Sequence, residues 1–429
     1  VGDQRRTADV IVVGGGIIGL FTALDLRARG REVVVLDRAR PGAAASSRNG
    51  GGIRQQGRAL PEIALAALAL ARWAELDERL GGPTGYRRLG HLVVAKEADQ
   101  MVALGERRQL EQQHGLETEL VDEQVVRELA PGLAPIFVGG KLSRTDAMAV
   151  PALTMQTLLS AARSSGVHIE PHAEVRAVRT DAGAVVGVDA DRLSVDAPLV
   201  VNAAGPWSPM VSSMAGVYVP VVPSRLHMFR THPVDTKFAD VWVASAAMDF
   251  NAVQWEDGSL MFGAGVRADR EQYTFDETPV PGRLADAVHK LAELVPALAG
   301  TPIERRWTGI REFTPDMIPV IGPTEVEGFF QCTGFSGHGF ALAPIIGELV
   351  GEWVDTGRRP ELLAPFAPDR FHSAQSPFNY PPSPWGGATT SLVAATVPDV
   401  RPVAEDTVAV RPHSGAPATI NHPPFEESA

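Results

Sequence analysis

Apolar residues change their spacing twice within the first forty positions. Val10 to Val13 form an unbroken apolar run, Ile17 to Leu26 repeat at helical spacing, Gly30 follows, and Val33 to Leu36 form a second run. An unbroken run suits a strand covered on both faces, and the helical stretch between the two runs makes this a βαβ unit with a parallel sheet. Residues 61–80 predict a helix whose apolar positions are Ile63, Leu65, Leu68, Leu70, Trp73 and Leu76.

From 81 to 147 the pattern becomes mixed and charged, predicting a strand in "GHLVVAK" and helices near 98–114 and 122–129. A helix, a strand, a small meander and a buried strand ending at Val201 then return the chain to its first domain. Residues 217–265 alternate over short strands, as an antiparallel sheet requires, and 281–298 predict a helix. The expected division is therefore discontinuous: residues 1–80, 148–216 and 304–365 in one domain, 81–147 and 217–303 in an inserted second one. Beyond Phe366 the chain is dense in Pro, Ser, Ala and Thr without sustained periodicity, so 366–429 reads as an extended arm or tail.

Composition narrows the classes. The 429 residues carry a net charge of −12, which argues against nucleic acid or an anionic membrane surface as the main partner. A single cysteine, Cys332, permits no intramolecular disulfide and no cysteine zinc cluster, and fits a reducing cytoplasm. No metal site is expected. Arg5 and Arg6 precede an apolar run as in an export signal, but three glycines and Asp25 interrupt that run, and no stretch is long enough for a membrane span.

Candidate chemistry begins at Gly14, Gly16 and Gly19, a GxGxxG between strand and helix, with Asp37 ending the next strand 21 residues after Gly16. Gly14 suits the tight turn, Gly16 the approach of a pyrophosphate to the backbone, and Gly19 close packing of helix on strand. The helix start offers amides to an anion, and Asp37 can accept from ribose hydroxyls. This motif alone leaves FAD and NAD both open.

Three distant segments decide between them. "SSRNGGGIRQQ", "VVNAAGPWS" and the region from "RRW" through "GFSGHGF" resemble conserved stretches of the D-amino-acid oxidase superfamily of FAD-dependent oxidoreductases, in family order. The last of these carries Trp307, Gly309, Arg311, Thr314, Pro315, Asp316, Pro319 and Gly322, then Gly334, Ser336, Gly337, His338, Gly339 and Phe340. The resemblance implies an α/β fold, with a Rossmann-type FAD-binding domain and an inserted mixed antiparallel-sheet substrate domain. It implies FAD contacts at Gly14, Gly16, Ile17, Gly19, Asp37, Arg38, Ser46, Ser47, Asn49, Gly50, Gly51, Val175, Ala204, Gly205, Gly309, Gly334, Gly337, His338, Gly339 and Phe340. The amides at Gly337, Gly339 and Phe340 would face the pyrimidine edge of the flavin.

On a strand through "RRWTGIREF", the period of two puts Trp307, Gly309, Arg311 and Phe313 on one face and Thr308, Ile310 and Glu312 on the other. Gly309 is then expected to admit a flat ring beside Arg311, with Glu312 turned away. Amino-acid-oxidising members of the family carry an arginine at this motif position to hold the substrate carboxylate, which makes Arg311 the anchor; a structural ion pair is the plain alternative. His338 reads equally as a flavin and substrate neighbour or as a residue bonded to a backbone carbonyl. Arg54 reads as a second site cation or as a phosphate-facing or solvated one. His227 and Met228 edge the pocket or simply pack.

The resemblance implies oxidation of the C–N bond of a small amino or imino acid, such as glycine, sarcosine, a proline-type or a D-amino acid, to an imine. Oxidation of a 2-hydroxy acid or other alcohol, and an FAD-carrying electron-transfer subunit, remain alternatives; the arm at 366–429 would suit a homo- or hetero-oligomer. Non-covalent FAD is expected, because residues 307–313 contain no cysteine for flavinylation. Sarcosine-oxidising members have a lysine directly after "GHGF" that assists the reaction with oxygen. Ala341 stands there in this chain, which implies slow reoxidation by O₂.

Overall fold

The computed structural model describes residues 4–248, 250–264, 278–280 and 282–371. All lie in the first of two units, Val1–Ala395; the second, Thr396–Ala429, falls outside the described residues, as does the arm expected at 366–429 apart from its first six residues, 366–371.

The βαβ expectation is met residue for residue in its strands: Val10–Val13, helix Ile17–Ala28, and Val33–Leu36. These two strands lie inside a six-stranded sheet that runs, edge to edge, Val320–Pro323, Phe329–Thr333, Leu199–Asn202, Val10–Val13, Val33–Leu36 and His168–Glu170. Every pairing is parallel except the first. Alternation explains why the runs are apolar throughout. Val10, Val12, Val33 and Val35 enter a core with the helices, whereas Ile11, Val13, Val34 and Leu36 enter a second core with Val175, Val188 and Val195 of a four-stranded sheet.

Helix Gly339–Thr356 packs along Ile17–Ala28 at backbone distance. A Cβ on Gly347 would lie 2.5 Å from Phe21 Cβ, and one on Gly351 2.1 Å from Asp25 Oδ2. The expected helix over 61–80 is split, Ile63–Ala74 and Leu76–Leu80, with a non-helical Glu75 between.

An eight-stranded sheet follows the order Ile303–Phe313, Val222–Thr231, Leu260–Ala264, Phe250–Gln254, Trp242–Ser245, His91–Ala95, Gly139–Ser143 and Glu119–Asp122. It is antiparallel except where Trp242–Ser245 meets His91–Ala95, so the mixed antiparallel expectation holds. Ile303–Phe313, grouped by sequence with the FAD-binding part, is bonded along its length to Val222–Thr231 in this sheet. One face buries Phe229, Phe250, Ala252, Phe262, Ala287 and Leu291. The opposite face aligns Ser224 with Arg311, Leu226 with Gly309, and Met228 with both Trp307 and Gly263. This second face meets the glycine loop: a Cβ on Gly50 would stand 3.4 Å from Met228 Cε, and one on Gly52 2.6 Å from the Trp242 ring.

At the end of the described chain, Phe366 is buried and Arg370 pairs with Asp316 at 2.8 Å. Among the described residues no helix is long and apolar enough to cross a membrane.

Candidate active site

The dinucleotide motif sits at the carboxyl end of the central parallel strand, where ligands of open α/β sheets bind. Gly14 has φ +107°, and a Cβ there would lie 2.3 Å from the Ala203 carbonyl oxygen. At Gly19 a Cβ would lie 2.0 Å from the Gly14 carbonyl oxygen, so this glycine is what lets helix and strand touch. Asp37 accepts from the Gly15 amide through Oδ2 and the Ala39 amide through Oδ1, both at 2.8 Å. Each oxygen keeps a further lone pair for a ribose hydroxyl. Ser46 Oγ accepts from the Ile17 amide at 2.9 Å, bringing the second family segment onto the helix start. Arg38 lies over the Trp207 ring at 4.7 Å, while Val175 is buried in the four-stranded sheet.

The "VVNAAG" segment owes its shape to Asn202. Its buried amide donates to Ser208 O, Ser212 Oγ and Gln331 Oε1, and Ala204 N donates to its Oδ1 at 3.3 Å. Gly205 follows with φ +55°. The loop after the second strand is built similarly around Asn49, which donates to Ala45 O and Ser46 O and accepts from Gly51 N at 2.7 Å. Ser47 lies in the short helix Ala45–Arg48 that Asn49 closes. Arg48 was not singled out by sequence. Its carbonyl accepts from Trp307 Nε1 at 3.0 Å, and a Cβ on Gly309 would stand 3.2 Å from its own Cβ. Gly309 therefore admits the glycine loop against the strand.

Arg311 lies beside the histidine turn. Gly334 and Gly337 have φ of +73° and +81°, and Thr314 N donates to Ser336 Oγ at 3.2 Å, tying the strand's end to the turn. Arg311 Nη1 lies 3.6 Å from where a Gly337 Cβ would be, and its Cζ lies 4.7 Å over the Phe313 ring. Glu312 takes the opposite face; it is buried, accepts from Phe335 N at 3.3 Å, and burial pushes its carboxyl above the usual range.

His338 caps the helix Gly339–Thr356 and is bonded on both sides of its ring. Nδ1 lies 2.8 and 3.1 Å from the two oxygens of Glu62, and Nε2 3.4 Å from Arg54 Nη2. Burial, reinforced by Arg58 and Arg54, pushes the imidazole down to about 4 against the pull of Glu62. Burial favours the acid form of Glu62, but the His338 bond and the Arg58 and Arg54 guanidiniums outweigh it and hold the carboxyl low. The pair thus holds one proton, on Nδ1. Burial, with Arg58 nearby, also draws Arg54 down to about 9, leaving it cationic at neutral pH. Glu62 carries no distinguishing sequence signal, because an acid beside Pro61 at a helix start is ordinary.

Met228 faces the glycine loop, while His227 pairs with Thr308 and points to the other side of the strand. Cys332 is 1% exposed and burial pushes its thiol up, so it is a packed side chain. Ala341 is 3% exposed, and its carbonyl accepts from Trp73 Nε1 at 2.8 Å.

These residues fit FAD. In the cradle at Gly14 to Gly19 a Cβ would meet backbone at Gly14 and Gly19 and Pro41 at Gly15, the helix starts following Gly16 and His338 present first-turn amides beyond that of Ile17, and Asp37 retains acceptor capacity.

The family profile described as FAD-dependent oxidoreductase (DAO) matches residues 9–353. The bifunctional protein ThiO/ThiG of Trichormus variabilis is 27% identical over 378 residues, covering 86% of this chain and 56% of that protein. Glycine oxidase of Pseudomonas putida is 29% identical over 380 residues, covering 84% and 98%. Among solved structures, L-proline dehydrogenase from P. horikoshii superposes with a TM-score of 0.79 at 25% identity, over 87% of this chain and 99% of that one. The chain spans about half the length of several curated relatives, including the 4-methylaminobutanoate oxidase of Paenarthrobacter nicotinovorans, of which it covers 46%.

Proposed function

The chain belongs to the FAD-dependent oxidoreductase family, and from that premise we propose that it oxidises the C–N bond of a small amino or imino acid. The observation that carries this reading is Arg311 beneath the Gly337–His338 turn, a cation on the sheet face that meets the glycine loop.

FAD, held without a covalent bond, supplies the two-electron acceptor. The backbone of Gly14 to Gly19 and the carboxylate of Asp37 would hold its dinucleotide end. The amides at Gly337, Gly339 and Phe340, at the start of a helix, would stabilise negative charge on the reduced cofactor. Arg311 binds the substrate carboxylate by paired, charge-assisted hydrogen bonds and so fixes which C–H faces the acceptor. The substrate, bound as the neutral amine, would give a hydride from its α-carbon to that two-electron acceptor and a proton from nitrogen to solvent water, leaving an imine that water hydrolyses. Neutral His338 is bonded to Glu62 and Arg54, so it orients its neighbours and does not serve as the proton acceptor. Trp307, Met228, Leu226 and Met261 on and beside this face exclude water.

An anaerobic panel of amino and imino acids, hydroxy acids and simple amines tests the proposal, with loss of the flavin's visible absorbance as the readout. Bleaching by an amino or imino acid is the expected result. Bleaching by hydroxy acids alone, or by no member of the panel, overturns it. The single cysteine further supports a cytoplasmic setting.

A further inference from the structure

We infer that Glu62 is a positioning residue that fixes the tautomer of His338 and, through that ring, the guanidinium of Arg54. Glu62 is fully buried at the end of the turn Leu60–Glu62, and both its oxygens lie within hydrogen-bond reach of the same ring nitrogen, Nδ1. A carboxylate can only accept, so Nδ1 must carry the proton. The lone pair is then left on Nε2, which faces Arg54 Nη2 at 3.4 Å, and a guanidinium can only donate. The other tautomer would set N–H against N–H at Arg54 and lone pair against lone pair at Glu62. Both partners therefore select one ring form, and Glu62 does so at the shorter distance.

The same chain of contacts holds Arg54. Its Nη1 donates to Gln56 O at 2.6 Å while Nη2 donates to His338, and its own carbonyl accepts from Arg58 Nε at 2.9 Å. Arg58 also acts on the pair by its charge, and it raises the need for a carboxylate here. Arg54 and Arg311 approach the turn at His338 and Gly337 respectively. Glu62 thus aligns one of two cations that flank the site, without itself reaching the substrate. The kinetic part of this inference rests on the proposed amino-acid oxidation; the tautomer part does not.

The test uses the full chain with FAD bound and ¹⁵N-labelled histidine, with His338 assigned by its disappearance in His338→Gln. Long-range ¹H–¹⁵N spectra at neutral pH should show Nδ1 protonated and Nε2 bare. Glu62→Gln should keep this form, because its amide oxygen still accepts, whereas Glu62→Ala should shift the ring toward Nε2–H. Arg54→Met should leave the Nδ1–H form in place. Against the best substrate from the panel, Glu62→Ala should raise KM about tenfold with kcat little changed, and Glu62→Gln should restore most of that affinity. Three results overturn the inference: native His338 found as Nε2–H or doubly protonated, a tautomer that follows Arg54 and not Glu62, or equal damage from Gln and Ala. The last would mark Glu62 as a plain counter-charge. If no amino or imino acid is a substrate, the spectra still decide the tautomer.

Discussion

Arg311 and Glu312 are consecutive on one strand and serve opposite faces. The guanidinium reaches beneath Gly337, while the carboxyl is buried against the Phe335 amide, and burial raises its affinity for a proton. A strand's period of two thus keeps the acid away from the cation next to it in sequence. Removing Arg311 should cost about 2 to 4 kcal/mol of substrate binding in the transition state. Arg311→Met is expected to lower kcat/KM by roughly thirty- to a thousandfold with FAD retained. Decarboxylated analogues should be poor substrates of the native protein. Equal turnover of an amino acid and its simple amine analogue would contradict the assignment.

Gly16 and Gly19, two of the four glycines at the first strand-to-helix turn, should separate cofactor binding from folding. At Gly19 an added methyl meets the Gly14 carbonyl oxygen at 2.0 Å, backbone that cannot move without parting helix from strand. At Gly16 it meets only Ser46 Oγ, at 3.2 Å. Gly19→Ala should destabilise the FAD-free chain by about 2 kcal/mol or more. Gly16→Ala should leave the melting temperature of the FAD-free chain near native and weaken FAD binding, measured by flavin fluorescence titration. Equal melting temperatures for the two variants would refute the distinction.

Much of this was legible in sequence, for identifiable reasons. Val10–Val13 and Val33–Leu36 are apolar at every position because alternate residues enter two cores, and the helices at 98–113 and 123–129 lie within a residue of expectation. The family motifs brought Arg311 and His338 to one turn. What was not legible depends on partners distant in sequence. Ile303–Phe313 joins a sheet through Val222–Thr231, some eighty residues earlier, and periodicity says nothing about which sheet a strand enters. Glu62 lies 276 residues from the ring it holds. Arg48 acts through its carbonyl, which no side-chain pattern reports.

Acid should destabilise this protein through His338. Burial depresses its folded pKa to about 4, below the ordinary histidine value, so the unfolded chain binds the proton first as pH falls. The contribution of this group is complete above about pH 6.5 and is lost progressively toward pH 4. Glu62, also held low, adds a loss beginning below its own unfolded value. Denaturant titrations of the holoprotein should show stability rising with pH across that window, with a shallower slope in His338→Gln. An unchanged slope would remove His338 from the account.

FAD should leave with acid. Trp307 to Phe313 contains no cysteine, and Cys332 is a buried thiol whose pKa burial pushes up, which makes it a poor nucleophile toward the flavin. Acid precipitation should place all flavin absorbance in the supernatant. Flavin retained in the pellet would show a covalent link.

Oxygen reactivity turns on the residue after "GHGF". A fixed cation near reduced flavin favours electron transfer to O₂, and Ala341 offers none. The structure also removes Ala341→Lys as a simple test. Ala341 is 3% exposed in the core, and the helix's first turn is pinned by the Trp73 indole on its carbonyl, so a lysine there would bury an ammonium among Trp73 and Phe340. The native reaction is the better measurement. Substrate-reduced protein should reoxidise in air far more slowly than it was reduced, and faster with an artificial dye, as expected of a dehydrogenase that passes electrons to a quinone, carrier protein or partner subunit. His338, uncharged at neutral pH, cannot stand in for a lysine here, whereas Arg54 beside it and Arg311 beside Gly337 are cations at the turn. If air reoxidation is instead rapid and yields stoichiometric hydrogen peroxide, the protein is an oxidase, and Arg54→Met should then slow the oxygen step specifically.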